Sequence, residues 1–366
     1  MNQSTLRALY ARPGPWASVY LDATHETEDA SQLIALRWRG LNQRLEEAGT
    51  DAATRSAIAE EATATAQLPP GRFGLAVFAT EGEIVLRRAL PQPPAREEAT
   101  WAPRPRVLPL LTALATTPTS GSVGWMRVTV DRTGADIEMD SGRYAVDGSE
   151  TYPIHKSGQG GWSAPRYERA TEVAWDRNAR DVATAVTRMV DAHNPSVVIL
   201  AGDVRARQLV YEHLPERVRW RSKGSSGSRA PGASERRLHE ATESVAGQLA
   251  EQERQQVVER FHTEARRGAA VEGLADVVAA ARSAALGNLL IDPERVRGSI
   301  WTDPAEPLVL ADGEEELRAL NVSGAVREPV GEALVAAAVC ADAQITILRD
   351  GLDLVDGVGA LVRFHS

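Results

Sequence analysis

The first apolar run, Trp16-Ala-Ser-Val-Tyr-Leu-Asp22, has the alternating character of a strand. Two stretches of helical spacing follow over residues 29–48 and 51–67. The first carries Leu33, Leu36, Leu41 and Leu45. After Pro69-Pro70-Gly71, residues 73–79 and 83–90 read as two strands joined by a tight turn at Thr80-Glu81-Gly82. Proline tracts at 91–94 and 103–109 close this unit. A second hairpin is predicted from residues 123–131 and 135–141 through Arg132-Thr133-Gly134. A long helix over 165–193 then places Tyr167, Ala170, Ala174, Val182, Val186 and Val190 near one face. It ends at Asn194-Pro195, because a residue before proline resists the α region.

The wholly apolar run 197–201 predicts a strand covered on both faces. A short helix over 204–213 and a strand over 217–222 follow. The small, polar stretch 224–234 has the composition of a linker. Beyond it, residues 235–267 form a long charged helical pattern and 274–286 an apolar one. Strands are predicted at 288–292, 298–302, 345–349 and 359–364, with a helix over 329–341. The fold class is α/β, in three domains: 1–100, 101–224 and 235–366, with 225–234 as the linker.

Composition narrows the class. A 366-residue chain with 43% hydrophobic and 25% charged residues is globular, and its length suits two or three domains. No apolar run approaches the ~20 residues that span a bilayer, so no membrane partner is expected. The N-terminus has no apolar stretch of the kind a secretory signal needs. The single cysteine, Cys340, lies in an apolar helical stretch. It is expected to be buried and inert, in keeping with a reducing cytoplasm.

The net charge of −9 argues against indiscriminate binding of nucleic acid, DNA included. Residues 202–237 run against that total, with nine basic and four acidic side chains. Such a segment is either an RNA-facing surface or a solvated face running into a basic linker.

Little here suggests metal or covalent chemistry. The histidines are scattered, no metal-ligand spacing occurs, and no cofactor is expected. Asp22, His25 and Glu26 fit turn and cap roles better than a cation site. Ser163 has only distant His155 as a base. The segment with most character is Gly158-Gln-Gly-Gly-Trp-Ser-Ala-Pro-Arg166. Its glycines free the backbone for close approach, Trp162 offers a flat ring, and a helix starts directly after it. It lacks the ending of a phosphate-binding P-loop.

A strand hairpin, then His155-Lys-Ser-Gly-Gln-Gly-Gly-Trp-Ser-Ala-Pro-Arg-Tyr167, then a long helix resembles the central domain of archaeal and eukaryotic peptide-chain release factors. Trp16–Asp22 and Leu354-Val-Asp-Gly-Val-Gly-Ala-Leu-Val-Arg363 extend the similarity to the bacterial release-factor and Pelota-like branch. Within that branch the chain resembles the actinobacterial group that includes the ribosome-hibernation factor Balon. The resemblance implies a mixed α/β N-terminal domain and a ribonuclease-H-like α/β central domain. It also implies an α/β/α C-terminal domain of the kink-turn-binding ribosomal-protein type.

The family's loop reads Gly-Gly-Gln, and its glutamine positions the water that cleaves peptidyl-tRNA. Gly160 and Gly161 match the two glycines and Arg166-Tyr167 the following Arg-Phe, but Trp162 stands in the place of the glutamine. No catalytic residue is therefore expected. The resemblance implies a ribosome-contacting loop of Gly158, Gln159, Gly160, Gly161, Trp162, Ser163, Arg166 and Arg169. It implies the A site of the 70S ribosome as partner, with elongation factor Tu as a candidate for delivery. Two functions stay open: a non-catalytic, ribosome-protecting hibernation factor, or a peptide-release factor that uses Gln159 on stalled ribosomes. The first domain has no Asn-Ile-Lys-Ser motif, so stop-codon reading is not expected.

Overall fold

The computed structural model describes residues 3–64, 71–116, 124–139, 142–147, 164–227, 234–322, 324–349 and 352–363. The chain forms two compact units, Met1–Thr117 with Gln252–Ser366, and Pro118–Glu251.

The first unit opens with α1 (Gln3–Tyr10), β1 (Trp16–Asp22), α2 (Ala30–Glu47) and α3 (Ala52–Ala64). It continues through β2 (Gly74–Thr80), β3 (Glu83–Leu90), β4 (Glu98–Ala102) and α4 (Leu108–Thr116). The strands form an antiparallel sheet in the order β3-β2-β1-β4. The turn between β2 and β3 has Glu81 and Gly82 both at positive φ (51° and 79°), as the two-residue turn that matches strand twist requires. Alternation along β1 splits its side chains between two cores. Ala17, Val19 and Leu21 pack with Ile34, Leu41, Leu45 and Ile58 of α2 and α3. Trp16 and Tyr20 enter a second core on the other face.

Helix α2 corrects the predicted apolar face. Leu33 and Leu36 are exposed, and Ile34 joins Leu41 and Leu45 in the core. Positions 34, 41 and 45 share one stripe of a 3.6-residue helix, whereas Leu33 and Leu36 fall outside it.

The second unit contains β5 (Trp125–Val130), β6 (Gly134–Met139), β7 (Gly142–Asp147), α5 (Ala164–His193) and β8 (Val197–Gly202). After these come α6 (Val204–His213), α7 (Glu216–Arg219), β9 (Ser222–Gly224) and the first part of α8 (Glu235–Ala265). The sheet order is β7-β6-β5-β8-β9, antiparallel through β5 and parallel from β5 to β9. Three antiparallel strands followed by two parallel ones reached through helices is the ribonuclease-H-like arrangement. One face packs Met126, Val128, Val198 and Leu200 against Val182, Val186 and Val190 of α5. Val197 and Ile199 point the other way, onto Ala246 of α8. Every residue of β8 is accordingly buried.

The strand expected over 217–222 is instead one turn of helix and a short edge strand. Pro215 opens α7, and Val218 is buried in the core beneath it. Buried Arg127 crosses to α8, with Nη1 donating to Thr242 Oγ1 at 3.1 Å and Nη2 ion-paired with Glu138.

Helix α8 is divided between the two units. Its later turns place Val257, Val258 and Phe261 against Leu290, Leu354 and Leu361. The remaining elements of the first unit are β10 (Ala270–Glu272), α9 (Leu274–Arg282), β11 (Leu286–Ile291) and β12 (Ser299–Thr302). They continue with β13 (Leu310–Ala311), α10 (Glu314–Ala319), β14 (Val326–Pro329), α11 (Val330–Cys340), β15 (Gln344–Ile347) and β16 (Val358–Val362). The main sheet runs β10-β16-β11-β15, and β13-β12-β14 form a smaller one. The apolar pattern 274–286 spans two elements. Helix α9 stops at Arg282, Ala284 turns at φ 53°, and Leu286 begins β11. Helix α11 is buried from Val330 to Val339, but Cys340 is exposed, against expectation. The apolar run ends one residue before the thiol.

Residues from both ends of the chain share one core, in which Leu9, Trp16, Tyr20, Leu110 and Leu114 sit with Leu289, Leu334 and Ala338. Polar contacts reinforce it. Tyr20 Oη donates to Arg106 O at 2.5 Å and accepts from Leu110 N at 3.1 Å. Glu332 on α11 accepts from Val107 N at 2.9 Å and Leu108 N at 3.3 Å, so it caps α4. Helix α4 has no acid in its own first turn.

Burial pushes the Glu332 carboxyl up to about 7, against an ordinary value of 4.5. The folded chain then holds this proton more tightly than the unfolded chain, so its contribution is fully present below 4.5 and lost as pH rises through 7. Glu332→Gln keeps an accepting oxygen without the charge. It should therefore gain on the wild type by up to about 3 kcal/mol between pH 5 and 8, read as a flatter Tm-against-pH curve.

Candidate functional site

Helix α5 carries the segment of greatest chemical character at its N-terminus. Gly158, Gln159, Gly160, Gly161, Trp162 and Ser163 lie outside the described residues. Arg166 and Arg169 occupy the first two turns of α5, which begins at Ala164. Thirty residues make a rod about 45 Å long. Its first turn holds no acidic residue. A helix end with no acid in its first turn favours anions.

What the structure shows in detail is how that rod is gripped. Trp175, three turns in, is contacted by two guanidinium groups, Arg132 at 4.4 Å and Arg205 at 5.4 Å from its ring centre. Arg132 comes from the β5–β6 turn and Arg205 from α6. Arg205 also pairs with Glu172 at 2.7 Å, and Asn178 Nδ2 donates to Arg132 O at 3.1 Å. One residue past the tryptophan, Asp176 pairs with His213 at 2.7 Å and with Arg180 at 2.9 Å. The stack sits at the carboxyl ends of the parallel strands β5 and β8, where open α/β sheets usually form their crevice.

Asp131 lines that crevice and Asp203 stands at the start of α6 beside it, and both hold backbone. Asp131 Oδ1 accepts from Thr133 N at 2.7 Å and Gly134 N at 2.9 Å, tightening the hairpin turn. Asp203 caps α6 by accepting from Ala206 N at 3.0 Å. The crevice is built to clamp a helix. Trp175→Ala should lower stability to denaturant by about 2 kcal/mol, from lost packing and two cation–π contacts, while Trp175→Phe keeps roughly half.

Among the described residues no three His, Cys, Asp or Glu side chains converge as metal ligands. Asp22 accepts from Thr24 N at 2.9 Å and pairs with Arg37 at 3.0 Å, and His25 pairs with Gly71 through its backbone, so both serve local structure. No described helix is long and apolar enough to cross a membrane.

Several cations of the basic segment hold local structure, Arg217 and Arg236 in ion pairs. Arg207 Nη1 donates to Ser225 O at 2.6 Å, and Arg217 chelates Asp191 at 2.9 and 3.0 Å. Arg221 Nη1 donates to Asn194 Oδ1 at 2.6 Å, and Arg236 lies 3.5 Å from Glu240. Arg219 and Lys223 have no partner among the described residues. Two tryptophans escaped the sequence reading. Trp175 sits within α5, and only the fold brings Arg132 and Arg205 to its ring. Trp220 was visible as an aromatic inside Arg219-Trp-Arg-Ser-Lys223, and it is 79% exposed.

The model of the bacterial archaeo-eukaryotic release factor family 2 matches residues 125–267, from the first central strand into α8. Two full-length relatives, the uncharacterized proteins Rv2629 and MT2704 from two strains of Mycobacterium tuberculosis, are each 31% identical over 380 residues. The match covers 100% of this chain and 98% of theirs. The chain belongs to the bacterial archaeo-eukaryotic release factor family. Among solved structures it is similar to an archaeal translation termination factor, at 17% identity and TM-score 0.26, covering 100% of this chain and 99% of that one. It is also similar to an archaeal Pelota described in a ribosome-bound model, at 16% identity and TM-score 0.39, covering 99% and 94%.

Proposed function

We propose that this protein binds the vacant A site of an idle 70S ribosome and shields it during stress or stationary phase, without cutting any bond. Membership of a release-factor family supports the ribosome as partner. The observation that carries the non-catalytic reading is Trp162, which follows Gly160-Gly161 where the family resemblance expects glutamine. An indole donates one hydrogen bond and accepts none, so it cannot orient an attacking water through a carbonyl. Its flat face suits stacking on an unpaired base. Arg166 and Arg169 would meet rRNA phosphates beside the loop, and the helix end favours the same anions. Elongation factor Tu is the proposed delivery partner, and the cytoplasm the proposed setting.

A second reading, peptide release on stalled ribosomes, draws on Gln159, three residues before the tryptophan. One pair of assays separates them. Purified protein should sediment with vacant 70S ribosomes and leave the peptidyl-tRNA of ribosome–nascent-chain complexes intact. Release of peptide that disappears in Gln159→Ala would establish the second reading instead. Failure to sediment with ribosomes would sink both.

A further inference from the structure

We propose that the exposed edge of the central sheet around Trp220, formed by α6, α7 and β9, is a platform for unpaired bases of single-stranded RNA. This deepens the ribosome-binding reading and rests on it for RNA as the partner. The platform lies at the far end of α5 from Ala164. Arg217 and Arg221 tie it to Asp191 and Asn194 at the C-terminal end of α5, about 40 Å along that helix from Ala164.

Strand β9 is the last strand of its sheet, and a groove runs between it and α6. Val204, Arg207, Gln208 and Tyr211 line one side, and Ser222 and Lys223 the other. Three large apolar side chains here face water. Trp220 is 79% exposed, Val204 70% and Tyr211 42%. The indole Nε1 donates to Glu216 Oε1 at 3.4 Å, which orients the ring along α7. Trp220 follows α7 and Tyr211 lies on α6, and exposed aromatic rings on two consecutive elements suit stacking better than solvent.

Charge chooses the occupant. Arg219 and Lys223, on either side of Trp220 in sequence, have no partner among the described residues. Of the nearby acids, Asp191 is neutralised by Arg217, while Glu212 and Glu216 accept from the neutral Gln208 amide and indole, so Arg207, Arg219, Arg221 and Lys223 outnumber the two remaining carboxylates. Rings flanked by unpaired cations match a strand with a phosphate backbone and exposed bases. A peptide strand added to the edge fits worse, because β9 offers only three residues to pair with.

The test is a titration of a fluorescein-labelled 12-nucleotide oligouridylate with the full-length protein, followed by anisotropy at several salt concentrations. Trp220→Ala should bind about tenfold more weakly with an unchanged melting temperature, since the ring is exposed. Arg219→Glu with Lys223→Glu should bind weaker still and lower the log–log salt slope by about 1.4, or 0.7 per lost phosphate contact. Equal affinity in all three proteins, or no binding by the wild type, overturns the proposal. Sedimentation of the wild type with 70S ribosomes separates the two ideas. Trp220-dependent oligouridylate binding without ribosome binding leaves the platform standing and removes the ribosome reading. Ribosome binding with Trp220-independent oligouridylate affinity does the reverse.

Discussion

Trp162→Ala should weaken binding to vacant 70S ribosomes by about 5- to 150-fold, the loss expected when one aromatic stacking partner is removed from an unpaired base. If Trp162 acts as a ring, Trp162→Phe keeps most of the affinity, because a smaller flat face remains. If position 162 retained the family's water-positioning task, affinity would be indifferent to ring size. Peptide release would then be the property that moved. Trp162→Gln restores Gly160-Gly161-Gln and is the informative opposite. It should bind as poorly as the alanine variant, and any peptide release should appear in it alone. Equilibrium pelleting at fixed salt measures these affinities, because the Arg166 and Arg169 contribution is screened by ions and would blur a comparison across buffers.

Arg104→Ala should destabilise the first unit by about 3–5 kcal/mol, seen as a lower midpoint in urea. Arg104 lies between β4 and α4 and reaches across to residues some 200 positions later. Its Nη1 pairs with Glu328 at 3.2 Å, Nη2 donates to Thr302 Oγ1 at 3.4 Å and to Asp303 O, and Nε donates to Pro304 O at 3.4 Å. Both charged partners are almost fully buried. Truncation leaves the Glu328 carboxylate without its counter-charge and two carbonyls without a donor, and unpaired buried groups carry that cost. Arg104→Met with Glu328→Leu should lose far less, because it removes both charges and refills their volume. The contrast tells an ion pair that fixes register from one that simply fills space.

Much of the architecture was legible because its causes are local. β8 reads as a buried strand from five consecutive apolar residues, and it is covered by α5 on one face and α8 on the other. α6 matches its predicted limits because Asp203 caps its start. Misreadings came where two local signals competed. Leu33 and Leu36 look like core by composition, but the stripe through Ile34, Leu41 and Leu45 is the one that faces the sheet. The basic run 217–222 looks extended, yet Pro215 and the burial of Val218 set a helical turn first.

Contacts between distant residues leave no periodic trace. Glu332 capping α4 and Arg104 reaching Glu328 each link positions more than 200 apart. For the candidate site, the glycine-tryptophan segment was legible as a motif, whereas its support was not. The arginines on Trp175 come from two separate elements, and no spacing in the chain announces them.

The measurement that bears most directly on the proposed function is a density map of 70S ribosomes isolated with the native protein bound. The protein should occupy the A site, with no tRNA there and Gly160, Gly161 and Trp162 at the peptidyl-transferase centre. Peptidyl-tRNA should be intact wherever one occupies the P site. Density for the protein elsewhere on the ribosome, or a deacylated P-site tRNA with the peptide gone in its presence, would contradict the proposed function.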